Sequence, residues 1–257
     1  MKLTIIGSGT CVPSTKRGAP ANYLEIAGSR ALVDCGPGTL KQLEKAKLDY
    51  KLIDMVFISH FHSDHISDLG PLVQASNWTP GFERKKNLTF IGPPGFENFY
   101  RKYIKPVCGS PRPDTYEILI EEIEDSLDFP GFRVEALSTT HSPESTAYKF
   151  IEAPAADKQG ETASSLIISG DCDFDENSIE FAKNCHTLLL ECSFKNNQKV
   201  KGHLTPKECG QIAQKSAAKK LILTHLYPPL SAKERLKETK KLFDNTILAE
   251  DFMEFLI

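Results

Sequence analysis

The chain has 257 residues, 40% of them apolar and 25% charged, and a formal net charge of −3. Wholesale disorder is excluded, one substantial core can be buried, and nucleic acid could be held only by a local basic patch. No apolar run approaches the ~20 residues of a membrane span, and the run Leu3–Ile6 breaks at Gly7 too early for a signal peptide. The seven cysteines (Cys11, Cys35, Cys108, Cys172, Cys185, Cys192 and Cys209) are scattered, odd in number and without a C-x-x-C. A disulfide framework is therefore not expected, and a cytoplasmic location is.

In chain order, Lys2–Gly7 reads as a strand, and Gly7-Ser8-Gly9-Thr10 as a turn that lacks the phosphate-binding P-loop pattern. Strands near Ala21–Ile26 and Arg30–Asp34 form a hairpin about Gly28-Ser29. Asp34-Cys35-Gly36-Pro37-Gly38-Thr39 leads into a helix at Leu40–Leu43, with Thr39 as N-cap. Leu52–Ile58 is apolar and β-rich, a buried strand. Helices over Ile66–Ser76 and Phe96–Ile104 enclose a strand at Leu88–Gly92. Tyr116–Ile123 and Phe132–Leu137 alternate as strands around the acidic run Glu124–Asp128, which reads as a solvated turn. Ala147–Ile151 and Ser165–Ser169 are strands joined by a polar hairpin-type turn over Pro154–Thr162. A short helix at Asn177–Asn184, a buried strand at Thr187–Glu191 and a basic loop at Lys195–His203 follow. Thr205 caps a helix to Ala218, with Pro206 at its first position. Leu221–His225 is a strand, Ala232–Phe243 a charged helix, and Thr246–Ala249 and Phe252–Ile257 are closing strands. No repeat or linker interrupts the chain, so one mixed α/β layered domain over 1–257 is expected.

The densest chemistry follows Leu52–Ile58, in Ser59-His60-Phe61-His62-Ser63-Asp64-His65. Imidazole and carboxylate are preferred zinc ligands. His60 and His62 share one side of an extended segment, whereas the adjacent Asp64 and His65 point apart, which suits two metals better than one. A histidine-rich surface loop or a core hydrogen-bond cluster is the bland alternative, and the position directly after a core strand weighs against it. His60, His141, Asp171 and His225 each end an apolar strand, so they can meet in one cleft. His186 fits no pattern and reads as structural.

His60-x-His62-x-Asp64-His65 resembles the signature of the metallo-β-lactamase-fold hydrolases. A finer resemblance, to ribonuclease Z and its phosphodiesterase relatives, covers almost the whole chain. It is carried by Ile5–Thr10, Asp34–Thr39, Gly92-Pro93-Pro94-Gly95, Leu190-Glu191 and Gly202-His203-Leu204-Thr205. The resemblance implies a four-layer αββα sandwich, two mixed β-sheets flanked by helices. It implies two divalent metals, zinc first, with manganese and iron as alternatives. One would sit on His60, His62 and His141, the other on Asp64, His65 and His225, with Asp171 bridging. A metal-bridged hydroxide would then attack a P–O bond. Asp64 would orient the nucleophile or take its proton, and His203, paired with Glu191, would stabilise the charged transition state or protonate the leaving oxygen. Asp34 either supports a ligand histidine from behind or is a plain turn carboxylate. Cys172 offers a soft ligand beside Asp171, but a bridging position favours the two-oxygen carboxylate. His62 stands where di-iron redox relatives carry glutamate, which favours a hydrolase.

The departures bear on substrate. Ribonuclease Z inserts a long tRNA-binding arm between the positions of His141 and Asp171, and here only a hairpin fits. Pro37 stands where the family has glutamate, and Cys172 replaces a small hydroxyl residue. RNA would have to be held by Lys195, Lys199 and Lys201, which otherwise form a solvated loop. The substrate expected is a phosphodiester, either RNA or a small molecule such as a cyclic nucleotide. The alternatives are a sulfate ester, lactone, thioester or β-lactam hydrolase on the same site, a non-catalytic metal-binding module, or a redox di-iron protein. A homodimer is the assembly the resemblance suggests.

Overall fold

Short, apolar strands separated by turns and helices fold here into two seven-stranded sheets. The computed structural model describes residues 1–109, 115–154, 163–228 and 230–257. The first sheet runs through β1 (Lys2–Gly7), β2 (Ala21–Ile26), β3 (Ser29–Val33), β4 (Met55–Phe57), β5 (Leu88–Gly92) and β6 (Ile118–Glu122). The second runs through β7 (Ser126–Phe129), β8 (Phe132–Ser138), β9 (Thr146–Glu152), β10 (Ser164–Ile168), β11 (Thr187–Glu191), β12 (Leu221–Thr224) and β13 (Thr246–Leu248). The last strand, β14 (Glu254–Leu256), returns to the first sheet beside β1. Each sheet begins with antiparallel hairpins and ends with parallel pairs, β3 to β6 in one and β10 to β13 in the other. Parallel neighbours need crossovers, and these crossovers carry helices on the outer faces.

The helices are α1 (Thr39–Lys45), α2 (Ser63–Ile66), α3 (Leu69–Trp78), α4 (Phe96–Phe99), α5 (Lys105–Cys108), α6 (Glu176–Phe181), α7 (Pro206–Lys215) and α8 (Ala232–Lys240). Leu3, Ile5, Leu24 and Phe57 of the first sheet meet Tyr148, Phe150, Leu166 and Ile222 of the second in the central core. Phe57 sets its ring edge-on to Tyr148 and Phe150, with centroids 5.5 and 5.1 Å away. Outside, Leu43, Leu69, Leu72 and Val73 cover the first sheet, and Cys209, Ile212 and Ala213 cover the second. The order helix, sheet, sheet, helix is the four-layer αββα sandwich expected from the sequence. Among the described residues, no helix is long and apolar enough to cross a membrane.

Several local expectations shift. The β2–β3 turn is Ala27-Gly28, both left-handed (φ 46° and 79°), so the strand begins at Ser29. Thr39 does not cap α1. Gly38 precedes it at φ 86°, and the Asp68 carboxylate accepts from the Gly38 and Leu40 N–H groups at 3.1 and 3.0 Å. The helix expected over Ile66–Ser76 is split into α2 and α3. The one from Phe96 runs on to Cys108 through a π-helical turn at Tyr100–Ile104. The acidic run is not merely a turn: Ser126–Phe129 is an edge strand whose Leu127 and Phe129 pack on the central core. The polar turn of the β9–β10 hairpin, residues 155–162, lies outside the described residues. Thr205 does cap α7, its N–H donating to Glu208 Oε2 at 2.8 Å.

Candidate metal centre

Buried β4 delivers the histidine motif between the sheets. The second sheet pins the turn that follows: the Tyr148 hydroxyl donates to the Ile58 carbonyl (2.6 Å) and the Thr146 N–H to the Ser59 carbonyl (3.0 Å). His60 then points inward, His62 precedes α2, and Asp64 and His65 lie in that helix. His141 follows β8, Asp171 follows β10, Glu191 ends β11, and His225 follows β12 at φ 54°. All seven expected ligands therefore gather at one end of the two sheets, in five overlapping clusters among the described residues, two of which also take in His203.

In the first cluster, His62 Nδ1 lies 3.0 Å from His60 Nε2 and 3.1 Å from His141 Nε2. Ligand bonds of about 2.0–2.1 Å at a tetrahedral angle place nitrogens roughly 3.3 Å apart, so the spacing suits one ion. In the second, Asp64 Oδ2 lies 3.7 Å from His65 Nε2 and 3.6 Å from His225 Nε2. Asp171 turns Oδ1 toward that pair, at 3.5 and 3.3 Å. Its Oδ2 faces His60 and His141, at 4.0 and 3.8 Å. His65 Nε2, His225 Nε2 and Asp171 Oδ1 are buried and have no hydrogen-bond partner. Each such atom costs about 1–3 kcal/mol if left bare. A cation among them satisfies all three, so the residues fit a metal.

The far side of the ring fixes the tautomer of His60, His65, His141 and His225, whereas His62 faces the cluster with Nδ1. His65 Nδ1 donates to Asp34 Oδ2 at 2.7 Å, and His141 Nδ1 to the Gly202 carbonyl at 2.8 Å. Ser59 Oγ donates to Asp34 and accepts from His60 Nδ1 at 3.0 Å. Ser193 Oγ accepts from His225 Nδ1 at 2.9 Å. Each Nε2 is left aimed at the cluster, where a metal would take its lone pair. Asp34 thus takes the supporting place that was one of its two readings.

Burial lowers His65, but the Asp34 and Asp171 carboxylates outweigh it and raise this ring well above the ordinary histidine value, so a metal there would displace a proton. Burial pushes His60 down to about 2, and burial also lowers His141, so both stay neutral. Burial opposes ionisation of Asp64, but the neighbouring His225 and His65 rings outweigh it and hold it down to about 2. Burial likewise works against the Asp171 carboxylate, and the surrounding histidines outweigh it and hold the group well below the usual range.

His203 belongs to two of the clusters, and its Nδ1 donates to Glu191 Oε1 at 2.8 Å. Glu191 is buried and also accepts the Cys172 and Ser193 N–H groups, each at 3.1 Å. Burial lowers His203, but the Glu191 hydrogen bond and charge win and raise it above the ordinary histidine value. The Cys172 side chain packs in the core under α7 instead of joining any cluster. His186 accepts from the Ser165 N–H (3.2 Å), a structural role as expected. Two of the three lysines read as a nucleic-acid contact are engaged within the chain. Lys199 binds Asp173 (2.6 Å) and Glu208 (2.8 Å), and Lys195 binds Glu234 (2.9 Å). Sequence reasoning missed Ser59, Ser193, Gly202 and Asp173. Only their nearness in sequence to His60, Glu191, His203 and Asp171 hinted at them.

The chain matches the family described as anti-Pycsar protein Apyc1 over residues 1–245. Ribonuclease Z of Archaeoglobus fulgidus is 30% identical to it, across 98% of this chain and 96% of that one. Ribonuclease Z of Listeria monocytogenes is 29% identical, across 100% and 99%. The Archaeoglobus alignment spans 307 positions against a chain of 257 residues, so that relative carries segments with no counterpart here. Among solved structures, the metallo-β-lactamase fold protein YhfI of Bacillus subtilis superposes with a TM-score of 0.82 at 24% identity, over 99% of both chains. The short form of human tRNase Z superposes with a TM-score of 0.78 at 25% identity, over 100% of this chain and 99% of that one. With a family match running from the first strand almost to the end of the chain, and with ribonuclease Z-like sequence and the metallo-β-lactamase fold along its length, the protein belongs to the anti-Pycsar protein Apyc1 family.

Proposed function

We propose that the protein is a metal-dependent phosphodiesterase with two zinc ions held by His60, His62, Asp64, His65, His141, Asp171 and His225. The shared carboxylate carries this reading: Asp171 faces one cluster with each oxygen, and Oδ1 is orphaned among His65 and His225. The donors are nitrogen and oxygen with no thiol, which suits zinc, with manganese and iron as the competitors. Bound divalent ions there supply a Lewis acid for the phosphoryl oxygen and a water that loses its proton near neutral pH. Asp64 orients that water from beside His65 and His225. His203 keeps its Nδ1 proton on Glu191, which leaves the Nε2 proton to be given to the leaving oxygen. The buried Glu191 carboxylate holds the imidazolium charged while bond cleavage makes the leaving oxygen basic.

Small phosphodiesters, cyclic nucleotides among them, are the substrates this site fits best. Lys195 and Lys199 are tied to Glu234, Asp173 and Glu208 rather than presented to a polyanion. The chain between His141 and Asp171 is taken up by the paired strands β9 and β10, with no room for a long arm. The second reading, removal of the 3′ trailer of precursor tRNA, is favoured by the relatives named ribonuclease Z. The free thiols and the lack of any disulfide support a cytoplasmic setting.

The test is hydrolysis by protein of measured metal content of bis(p-nitrophenyl) phosphate, a 3′,5′-cyclic nucleotide and a trailer-bearing precursor tRNA. Cleavage of the small diesters alone is expected. Cleavage of the tRNA at the trailer junction would favour the second reading. Failure on every diester with two metals bound would sink phosphodiester chemistry, and sulfate esters, lactones and thioesters would come next.

A further inference from the structure

Between Phe194, which packs on the His203 ring, and the buried Leu204, the loop leading to His203 has little apolar anchorage of its own, and its Val200 is 42% exposed. Charge sets its place instead. Asp173 Oδ2 accepts the Gly202 N–H at 2.7 Å, and Oδ1 accepts Lys199 Nζ at 2.6 Å. Lys199 Nζ also donates to the His203 carbonyl at 2.6 Å and to Glu208 Oε2 at 2.8 Å. Asp173 is itself anchored, its N–H donating to the Thr140 carbonyl at 2.8 Å. One carboxylate, rooted between the His141 and Asp171 turns, therefore grips His203 twice: at the residue before it and, through Lys199, at its own carbonyl. Gly202 permits the approach. It has φ 88°, and a Cβ there would lie 3.0 Å from His141 Nδ1.

We propose that Asp173 is a positioning residue for the hydrolysis: with Lys199 it holds the His203 imidazole within reach of the leaving oxygen. This rests on the reading of His203 as the proton donor. The hydrogen bond to Glu191 fixes one ring atom, and the His141 bond to the Gly202 carbonyl and the His203 N–H bond to the Val200 carbonyl steady the chain beside it, but the His203 peptide can still pivot about them. Proton transfer needs a heavy-atom approach of roughly 2.6–3.2 Å, and a misplacement of about 1 Å can cost ~10²-fold. The Asp173–Lys199 grip removes that pivot.

The experiment compares two leaving groups in the metal-loaded full chain. p-Nitrophenolate departs from bis(p-nitrophenyl) phosphate without a proton, whereas the ribose alkoxide of a 3′,5′-cyclic nucleotide needs one. Asp173→Asn should lower kcat on the cyclic nucleotide by roughly 10–100-fold, and on the aryl diester by less than about 3-fold. KM and metal content should stay unchanged. In a His203→Ala background, Asp173→Asn should cost nothing further, because there is no imidazole left to place. Lys199→Met removes the hold on the His203 carbonyl without altering the carboxylate and should give the same pattern at smaller size, which keeps the test open if Asp173→Asn does not fold. Equal losses on both substrates, a loss that persists without His203, loss of metal, or wild-type rates would each overturn the proposal. His203→Ala alone tells the two failures apart. If its loss is blind to the leaving group, the reading of His203 as acid falls and the proposal with it. If His203→Ala shows the dependence and Asp173→Asn does not, only the role of Asp173 is lost.

Discussion

Asp34→Asn probes the support behind the second cluster. Asp34 Oδ1 accepts the Ser59 N–H (2.8 Å), and Oδ2 accepts His65 Nδ1 (2.7 Å) and Ser59 Oγ (2.9 Å), all in the buried interior. Asparagine keeps the shape and tolerates the left-handed backbone at φ 64°. It replaces one oxygen with an NH2 group, which then faces a donor whichever way the amide is turned. At least one buried donor loses its acceptor, a cost of about 1–3 kcal/mol. For a domain of this size, ~2 kcal/mol corresponds to a fall in Tm of roughly 4–8 °C for the metal-free chain. Loss of such an outer partner also weakens metal binding by roughly 10–100-fold. Chelator competition, with the released metal counted per chain, reads the second effect, and calorimetry of the apo chain reads the first. A variant that gives up its metal at the same chelator concentration as the parent would show that Asp34 is only a turn carboxylate.

Gly36→Ala should abolish most activity: the new Cβ would sit 1.9 Å from the Asp64 carbonyl oxygen, so the segment bearing Asp64 and His65 must move. A kcat loss of at least about 10²-fold is expected, and near-normal turnover would contradict the packing described. Glu191→Gln removes the charge that raises His203, so the protonated imidazole is lost at lower pH. On an alkoxide-leaving substrate, activity should decline as pH rises through the His203 value, and this basic limb should move to lower pH in the variant. An unmoved limb would assign it to another group. Metal removal should lower Tm, since the orphaned atoms of His65, His225 and Asp171 lose their partner. Saturating zinc at ~1,000 times its Kd should restore about 4 kcal/mol. A Tm indifferent to zinc would mean that these residues do not hold it.

What could be read ahead of the structure was whatever is local in the chain. The apolar runs at Lys2–Gly7, Leu88–Gly92 and Thr187–Glu191 coincide with strands because burial on both faces leaves an uninterrupted signature. The motif His60–His65 declared itself by composition, and the strand-end pattern brought in His141, Asp171 and His225. The edge strand Ser126–Phe129 was hidden because charge dominates its surroundings, although Leu127 and Phe129 already alternate. Of the partners behind the ligands, only Asp34 was legible, as one of two readings. The pairing of His141 with Gly202, or of His225 with Ser193, joins loops from different strands, and no spacing rule links them. Lys199 misled for the same reason: its carboxylate partners Asp173 and Glu208 come from separate turns, so in sequence it looks like a free cation.

The first and second clusters each mix side chains from both sheets. His60 and His62 follow β4 of the first sheet while His141 follows β8 of the second, and Asp64 and His65 meet His225, which follows β12. During synthesis, therefore, the first sheet alone offers at most a partial ligand set, and the second cluster stays incomplete until His225 has left the ribosome. With ions bound as proposed, metal uptake comes late, onto a scaffold that the central core must already have assembled. Once loaded, the ions rivet the sheets together, so neither can peel away without breaking coordination bonds. Resistance to proteolysis would then follow the rate of ion loss rather than the depth of the folding equilibrium.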